Sequence, residues 1–261
     1  KAGGMALLVR ELMDNGMLHE DVLTVAGHGF GRYMEQPVLE GDRAVWKDGP
    51  AESLDPGTIA TVSEPFDPVG GTRILTGNIG RAVMKISALK DGENTYVEAP
   101  AMVFHSQKEL EDAFHSDKLD RDVVAVVRFQ GPRANGMPEL HKLIMFLTII
   151  MQRGFKTGLV TDGRLSGASG TVPFAIHCSP EAAAGGNIAR IKDGDVIVMD
   201  AKNRSLQVKV DDKELAKRPC ATADLSTSHF GLGRQIFAAL RKEQLGADQG
   251  ASAIFAYTHE D

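Results

Sequence analysis

Seven consecutive residues, "VVAVVRF" at positions 123–129, constrain this chain more than any other stretch. Five of them are β-branched or small and apolar, with no polar alternation. A strand wetted on one face alternates, so this one reads as a strand buried in the interior. The chain must therefore build layers around it. Three further segments supply them. "PELHKLIMFLTIIMQRG" at 138–154 reads as a helix, with Pro138 in its first turn and Gly154 at its end. "KTGLVTD" at 156–162 reads as the next strand, and "DGDVIVMDAKNRSLQVKV" at 193–210 as two strands around a polar turn. "TRILTGNIG" and "AVMKISAL" are strand-like. "SQKELEDAF" is a short helix with Ser106 as N-cap and Glu109 three residues on, and "GRQIFAALRKEQ" is helical. This order does not alternate regularly between strand and helix. It predicts a mixed α/β fold, with a β-barrel or sheet and helices packed against it.

Residues 1–58 read differently. A helix carries Leu8, Leu12 and Met13 on one face and ends at Gly16, followed by a strand at 22–27. "GFGRYMEQP" at 29–37 reads as a helix stopped by Pro37. A polar stretch rich in Asp, Gly and Pro then places a domain boundary near residue 58. The chain opens almost inside its first helix, without a signal-peptide pattern, so it is expected to be the C-terminal portion of a longer protein.

Composition narrows the class. A net charge of −6 over 261 residues offers no basic face for nucleic acid. The longest apolar run, "LIMFLTIIM", is too short to span a bilayer. Two cysteines, Cys178 and Cys220, form no disulfide framework and no metal-ligand spacing, which makes the cytoplasm the expected compartment.

Three loops could carry chemistry. "TDGRLSGASG" at 161–170 matches neither the P-loop nor the nucleophile-elbow pattern. Its glycines let backbone N–H groups converge on an oxyanion, while Ser166 and Ser169 add hydroxyls. A plain glycine-rich connection explains it about as well. "RFQGPRANGMPEL" turns at Gly131-Pro132 and sets Arg133 and Asn135 beside the start of the helix at Pro138, where free N–H groups attract an anion. Simple turn formation is the plainer account. "GNIGRAVMK" offers Asn78, Arg81 and Lys85, which a tight turn with solvated basic residues also explains. His177 reads as a core histidine, and Met145 and Met151 as core filler.

Taken together, "PFDPVGGTRILTGNIGRAVMKISA", "RFQGPRANGMPELHKL", "VTDGRLSGASGTVPFAIHCSPEAAAGGNIARIKDGDVI" and "GLGRQIFAALR" resemble the dihydroxy-acid and phosphogluconate dehydratase family, and within it the 6-phosphogluconate branch. The resemblance implies two domains. Residues 1–58 are the tail of an N-terminal α/β domain, and residues 59–261 form a C-terminal swivelling, β-barrel-like domain flanked by helices. It implies dehydration of 6-phosphogluconate to 2-keto-3-deoxy-6-phosphogluconate, the Entner–Doudoroff step, by a homodimer. An iron–sulfur cluster, expected as 4Fe-4S, acts as Lewis acid and is held by the part preceding this chain.

Ser166 matches the family's proposed base. Asp162, Gly163, Arg164 and Gly167 surround it as substrate-binding residues, and Asn78, Arg81, Lys85, Arg133 and Asn135 complete the set. Related branches carry a magnesium-binding Glu where this chain has Gln130, a weaker ligand for a hard cation. Two other readings remain open: a dehydratase of an unphosphorylated sugar acid or dihydroxy acid, and a non-catalytic binding or assembly module.

Overall fold

The computed structural model describes residues 1–87, 89, 95–166 and 172–254. By contacts it divides into two compact units, Lys1–Gly70 and Gly71–Asp261.

The first unit holds helix α1 (Gly4–Asp14), a two-residue hairpin β1–β2 (Leu23–Thr24, Gly27–His28) and an antiparallel ribbon β3–β4 (Glu35–Glu40, Arg43–Asp48). Helix α1 buries Ala6, Leu7 and Val9. Leu8 is exposed, so the inward face is one position off the Leu8–Leu12 face expected from periodicity. Gly16 does close the helix, with a left-handed φ of 65°.

The helix expected at 29–37 is absent. A single 3-10 turn, Gly31–Met34, leads into β3, which runs through Pro37 opposite Trp46. Each strand of a two-stranded ribbon has an open edge, where a residue without an N–H is tolerated.

The second unit is a closed eight-stranded barrel. In chain order its elements begin β5 (Thr72–Thr76), β6 (Arg81–Lys85), β7 (Tyr96–Phe104), α2 (Gln107–His115) and β8 (Val123–Val127). They continue α3 (Pro132–Asn135), α4 (His141–Gln152), β9 (Thr157–Thr161), β10 (Phe174–Ser179), β11 (Val196–Asp200) and β12 (Ser205–Val208). Short helices α5 (Asp212–Lys217), α6 (Ser226–His229) and α7 (Ala238–Glu243) follow. The "GRQIFAALRKEQ" helix is thus split, its first turn, Arg234–Phe237, being 3-10.

Around the barrel the order is β10-β6-β5-β12-β11-β7-β8-β9. Strands β7, β8, β9 and β10 run parallel, so their C-terminal ends open at one mouth.

Every residue of β8 and β9 is buried, and two cores explain why. Val124, Val126 and Val160 point into the barrel with Met84, Ile197 and Leu206. Val123, Ala125, Val127 and Leu159 point outward against Leu110 of α2 and Leu143, Leu147 and Ile150 of α4. Met145 lies on the far side of α4 and is exposed, not core filler as its sequence position suggested.

Helix α4 also starts later than expected, at His141 rather than Pro138. The intervening residues are engaged elsewhere: Glu139 bridges Arg164, and the Leu140 N–H donates to the Arg164 carbonyl at 3.1 Å. Pro132, not Pro138, occupies a helix first turn, that of α3.

At the other end of α2 the expected cap is present, the Ser106 hydroxyl accepting from the Glu109 N–H at 3.2 Å. Among the described residues no helix is long and apolar enough to cross a membrane.

Candidate active site at the barrel mouth

The chain leaves β8 through Arg128, Phe129 and Gln130 and leaves β9 through Asp162, so both loops open at the same mouth. Phe129 is left-handed, with φ 64°. That twist aims two consecutive N–H groups at one acceptor, a small backbone nest. The acceptor is Asp162: its carboxylate takes the Phe129 N–H at 3.1 Å, the Gln130 N–H at 2.9 Å and, from the loop after β10, the Ala182 N–H at 3.0 Å. Asp162 is 0% exposed. Burial pushes its pKa up, and the three N–H groups pull it back only in part. Both oxygens are therefore spent on backbone, and Asp162 pins three loops together.

Glu181 does the same one turn away. Its two oxygens accept the Arg133 N–H at 2.8 Å and the Ala134 N–H at 3.1 Å. Glu181 thus places the protein's own carboxylate at the start of α3, a helix turn the sequence did not announce. The anion-attracting helix start was expected at Pro138. That helix begins at His141, where the first N–H donates to Glu139 at 3.1 Å. Burial raises the Glu181 pKa, and the nearby Asp162 charge adds to the rise. A Cβ at Gly131 would overlap the Glu181 side chain, so the loop's close approach needs glycine there.

Arg164 anchors the other edge. Its Nε donates to the Met137 carbonyl and its Nη1 to Glu139, each at 2.8 Å. Gly163 is packed so closely that a Cβ would lie 2.8 Å from the Gln130 Cβ, and its N–H donates to Thr161 Oγ1 at 2.9 Å. Ser166 follows buried Leu165 and is itself half-buried. Gly167 and Ser169 lie outside the described residues.

Gln130 is engaged at both ends of its amide. Oε1 accepts from Asn135 Nδ2 at 3.1 Å, and Nε2 donates to the His105 carbonyl at 3.0 Å. Arg133 Nη2 donates to the Gln244 carbonyl at 2.9 Å.

The remaining candidates sit apart from this group. Asn78 clamps the end of β12, donating to the Val208 carbonyl at 2.9 Å and accepting the Val208 N–H at 2.8 Å. Arg81 is exposed at the start of β6, opposite Ser179. Lys85 ends the same strand, four residues and roughly 13 Å farther along.

Three residues that sequence reasoning passed over belong to the mouth: Glu181, Arg128 and His105. Arg128 is 93% buried, and its Nη1 donates to the carbonyls of Ile188, Ala189 and Ile191 at 3.1–3.3 Å. Its Nη2 lies 2.9 Å from His105 Nε2. A guanidinium only donates, so Nε2 is the acceptor and the neutral ring carries its proton on Nδ1. No local pattern announces these partners, since Arg128 and Ile188 are sixty residues apart.

His177 was read as a core histidine, yet it is half-buried and left-handed, with φ 55°. Along β10, Ala175 and Cys178 both face the inner core while Ile176 faces the outer one. His177 is therefore the extra residue of a bulge, in keeping with the register shift between Ile176 and Ser179.

Burial and a neighbouring arginine lower the pKa of both His105 and His177, through Arg128 and Arg164 respectively. A base whose folded pKa is lowered resists protonation, so the unfolded chain takes up the proton first as pH falls below about 6.5. The stability from these rings is present above that pH and lost below it. Asp162 and Glu181 act with the opposite sign, so the effect is isolated by difference. The stability advantage of the parent chain over His105→Gln, measured by urea unfolding, is expected to shrink from pH 7.5 to pH 5.5. A pH-independent difference would remove His105 from this account.

The model of the dihydroxy-acid/6-phosphogluconate dehydratase C-terminal domain matches residues 57–251. A phosphogluconate dehydratase of Pseudomonas aeruginosa is 53% identical over 97% of this chain and 41% of its own length. That of Escherichia coli K12 is 53% identical over 97% of the chain and 42% of its length. A dihydroxy-acid dehydratase of Sulfurisphaera tokodaii is 36% identical over 84% of the chain and 37% of its length. The chain thus spans about two-fifths of the length of the first two relatives. With the family's C-terminal domain model matching from residue 57 to 251, this chain belongs to the dihydroxy-acid/6-phosphogluconate dehydratase family.

Proposed function

We propose that the protein carrying this chain is a hydro-lyase that converts 6-phosphogluconate to 2-keto-3-deoxy-6-phosphogluconate, the Entner–Doudoroff reaction. The observation that carries the reading is 53% identity, across 97% of the chain, to proteins named phosphogluconate dehydratase. The pinned mouth supports it, since Asp162 and Arg164 hold on both sides the loop that leads to Ser166.

In this reading Ser166 Oγ, as alkoxide, takes the proton from C2. The C2–H electrons form the C2–C3 double bond as the C3–O bond breaks. The departing hydroxide recovers the proton from Ser166 and leaves as water, and the enol ketonises. A serine hydroxyl is a weak acid, so the site must stabilise its anion. Asp162 does not oppose that anion freely, because its charge is bound by three N–H groups. The candidates for the substrate's phosphate are Arg133, whose Nη2 also donates to the Gln244 carbonyl, and, apart from this group, Arg81 and Lys85.

The family reading assigns its iron–sulfur cluster to the part preceding this chain, and neither cysteine here nor Gln130 is placed to hold that cluster or magnesium. Cys178 is wholly buried and its thiol pKa is pushed up, Cys220 Sγ lies 3.7 Å from the Gly185 carbonyl, and Gln130 Oε1 already accepts from Asn135. Among the described residues no group of three or more His, Cys, Asp and Glu side chains could hold a metal ion.

The test is turnover by the full-length protein, with 6-phosphogluconate compared with gluconate and with a branched 2,3-dihydroxy acid. Clear preference for 6-phosphogluconate is expected. Equal or faster turnover of gluconate or the branched acid would assign the protein to a sister activity, and no turnover of any would favour a binding module.

A further inference from the structure

Beside Gln130 the mouth opens into a cavity of about 500 Å³. Its walls come from the β7–α2 junction, from Phe129, Gln130 and Asn135, and from residues 222–225, 227 and 228. The lining is rich in groups that both donate and accept. It includes the hydroxyls of Thr222, Thr227 and Ser228. The charged lining residues are Lys108, Glu109 and Asp224, one more acidic than basic. Lys108 is in addition paired with Asp112 on its own helix. Glu109 fills the start of α2 by accepting the His105 N–H at 2.7 Å. A doubly charged phosphate would meet a wall that is acidic on balance. A chain of neutral hydroxyls would meet partners of both kinds.

His105 is the ordered donor in this wall. Its ring stands edge-on to Phe129, with centroids 5.1 Å apart and planes at 70°, and Arg128 holds Nε2. Nδ1–H is the ring's remaining polar group, and its tautomer is set before any ligand arrives.

Resting on the dehydratase reading above, we propose that this cavity binds the hydroxyl-bearing carbon chain of the sugar acid and not its phosphate. His105 Nδ1–H acts there as the donor that selects a hydroxylated chain.

Two substitutions separate binding from support. In His105→Gln the side-chain oxygen can still accept from Arg128, but the amide NH₂ no longer stands at the Nδ1 position. In His105→Asn the amide nitrogen stands near the old Nδ1 position, but Arg128 loses its acceptor. In the full-length enzyme, His105→Gln is expected to raise KM for 6-phosphogluconate by about tenfold, the worth of one hydrogen bond. The competitive inhibition constant of inorganic phosphate should stay within twofold. His105→Asn should raise KM less than His105→Gln while being the less stable protein.

A KM that follows stability across the two variants would reduce His105 to a supporting residue and overturn the proposal. So would a parallel loss of phosphate inhibition, which would make the cavity a phosphate site. If the parent enzyme does not turn over 6-phosphogluconate, the dehydratase reading fails by itself. The cavity is then judged by calorimetry with D-gluconate: tighter binding to the parent than to His105→Gln supports it, and equal or no binding sinks it.

Discussion

Replacing Ser166 by alanine in the full-length protein is expected to lower turnover of 6-phosphogluconate by about two orders of magnitude or more, the usual share of general-base catalysis. KM should change little, because the hydroxyl is asked to move a proton rather than to hold the substrate. Exchange of the C2 proton with deuterated solvent should vanish together with turnover. The variant is a safe one to make: Ser166 is only half-buried, and the anchors of its loop, Asp162 and Arg164, remain in place. Turnover within a few-fold of the parent, in a protein of unchanged stability, would show that Ser166 is a loop residue and shift the search to Ser169.

The second large effect falls on the fold. Asp162→Ala removes the acceptor of three backbone N–H groups, those of Phe129, Gln130 and Ala182, in a place where the side chain is fully buried. Each orphaned buried donor costs about 1–3 kcal/mol. The variant should therefore lose about 3 kcal/mol or more in urea unfolding, a large part of an ordinary domain's stability. Asp162→Asn keeps one acceptor oxygen but sets an NH₂ group against the remaining donors, and a smaller loss of about 1–3 kcal/mol is expected. A loss below about 1 kcal/mol for Asp162→Ala would mean that the three loops are held by something else. Activity is expected to fall in both variants, since the loop carrying Gln130 and Asn135 loses its tether. Asp162 was a substrate-binding candidate in the sequence, and the structure makes it a positioning residue first.

That contrast shows how far the residues could be read in order. Signals that act within a few positions were legible. The apolar run 123–127 announced a strand buried on both faces, and Ser106 with Glu109 announced the start of α2. Gly16 announced the end of α1. The same local logic misplaced the start of α4 and wrote a helix at 29–37. Pro138 and Pro37 each have two local meanings, and only a partner from elsewhere, Arg164 or Trp46, selects one.

The sequence by itself determined the class of the fold and the loops that could carry chemistry, because periodicity, caps and glycine spacing are carried by neighbours along the chain; the family rests on likeness to other proteins, not on these signals. The tertiary structure alone decided what those loops are tied to. Asp162 reaches residues 20 to 33 positions away, Glu181 caps α3 from 47 and 48 positions away, and Arg128 fixes the tautomer of His105 from 23 positions off. A buried polar group must be satisfied wherever the fold brings a partner, and which partner arrives depends on how the barrel closes, not on what stands next in the chain.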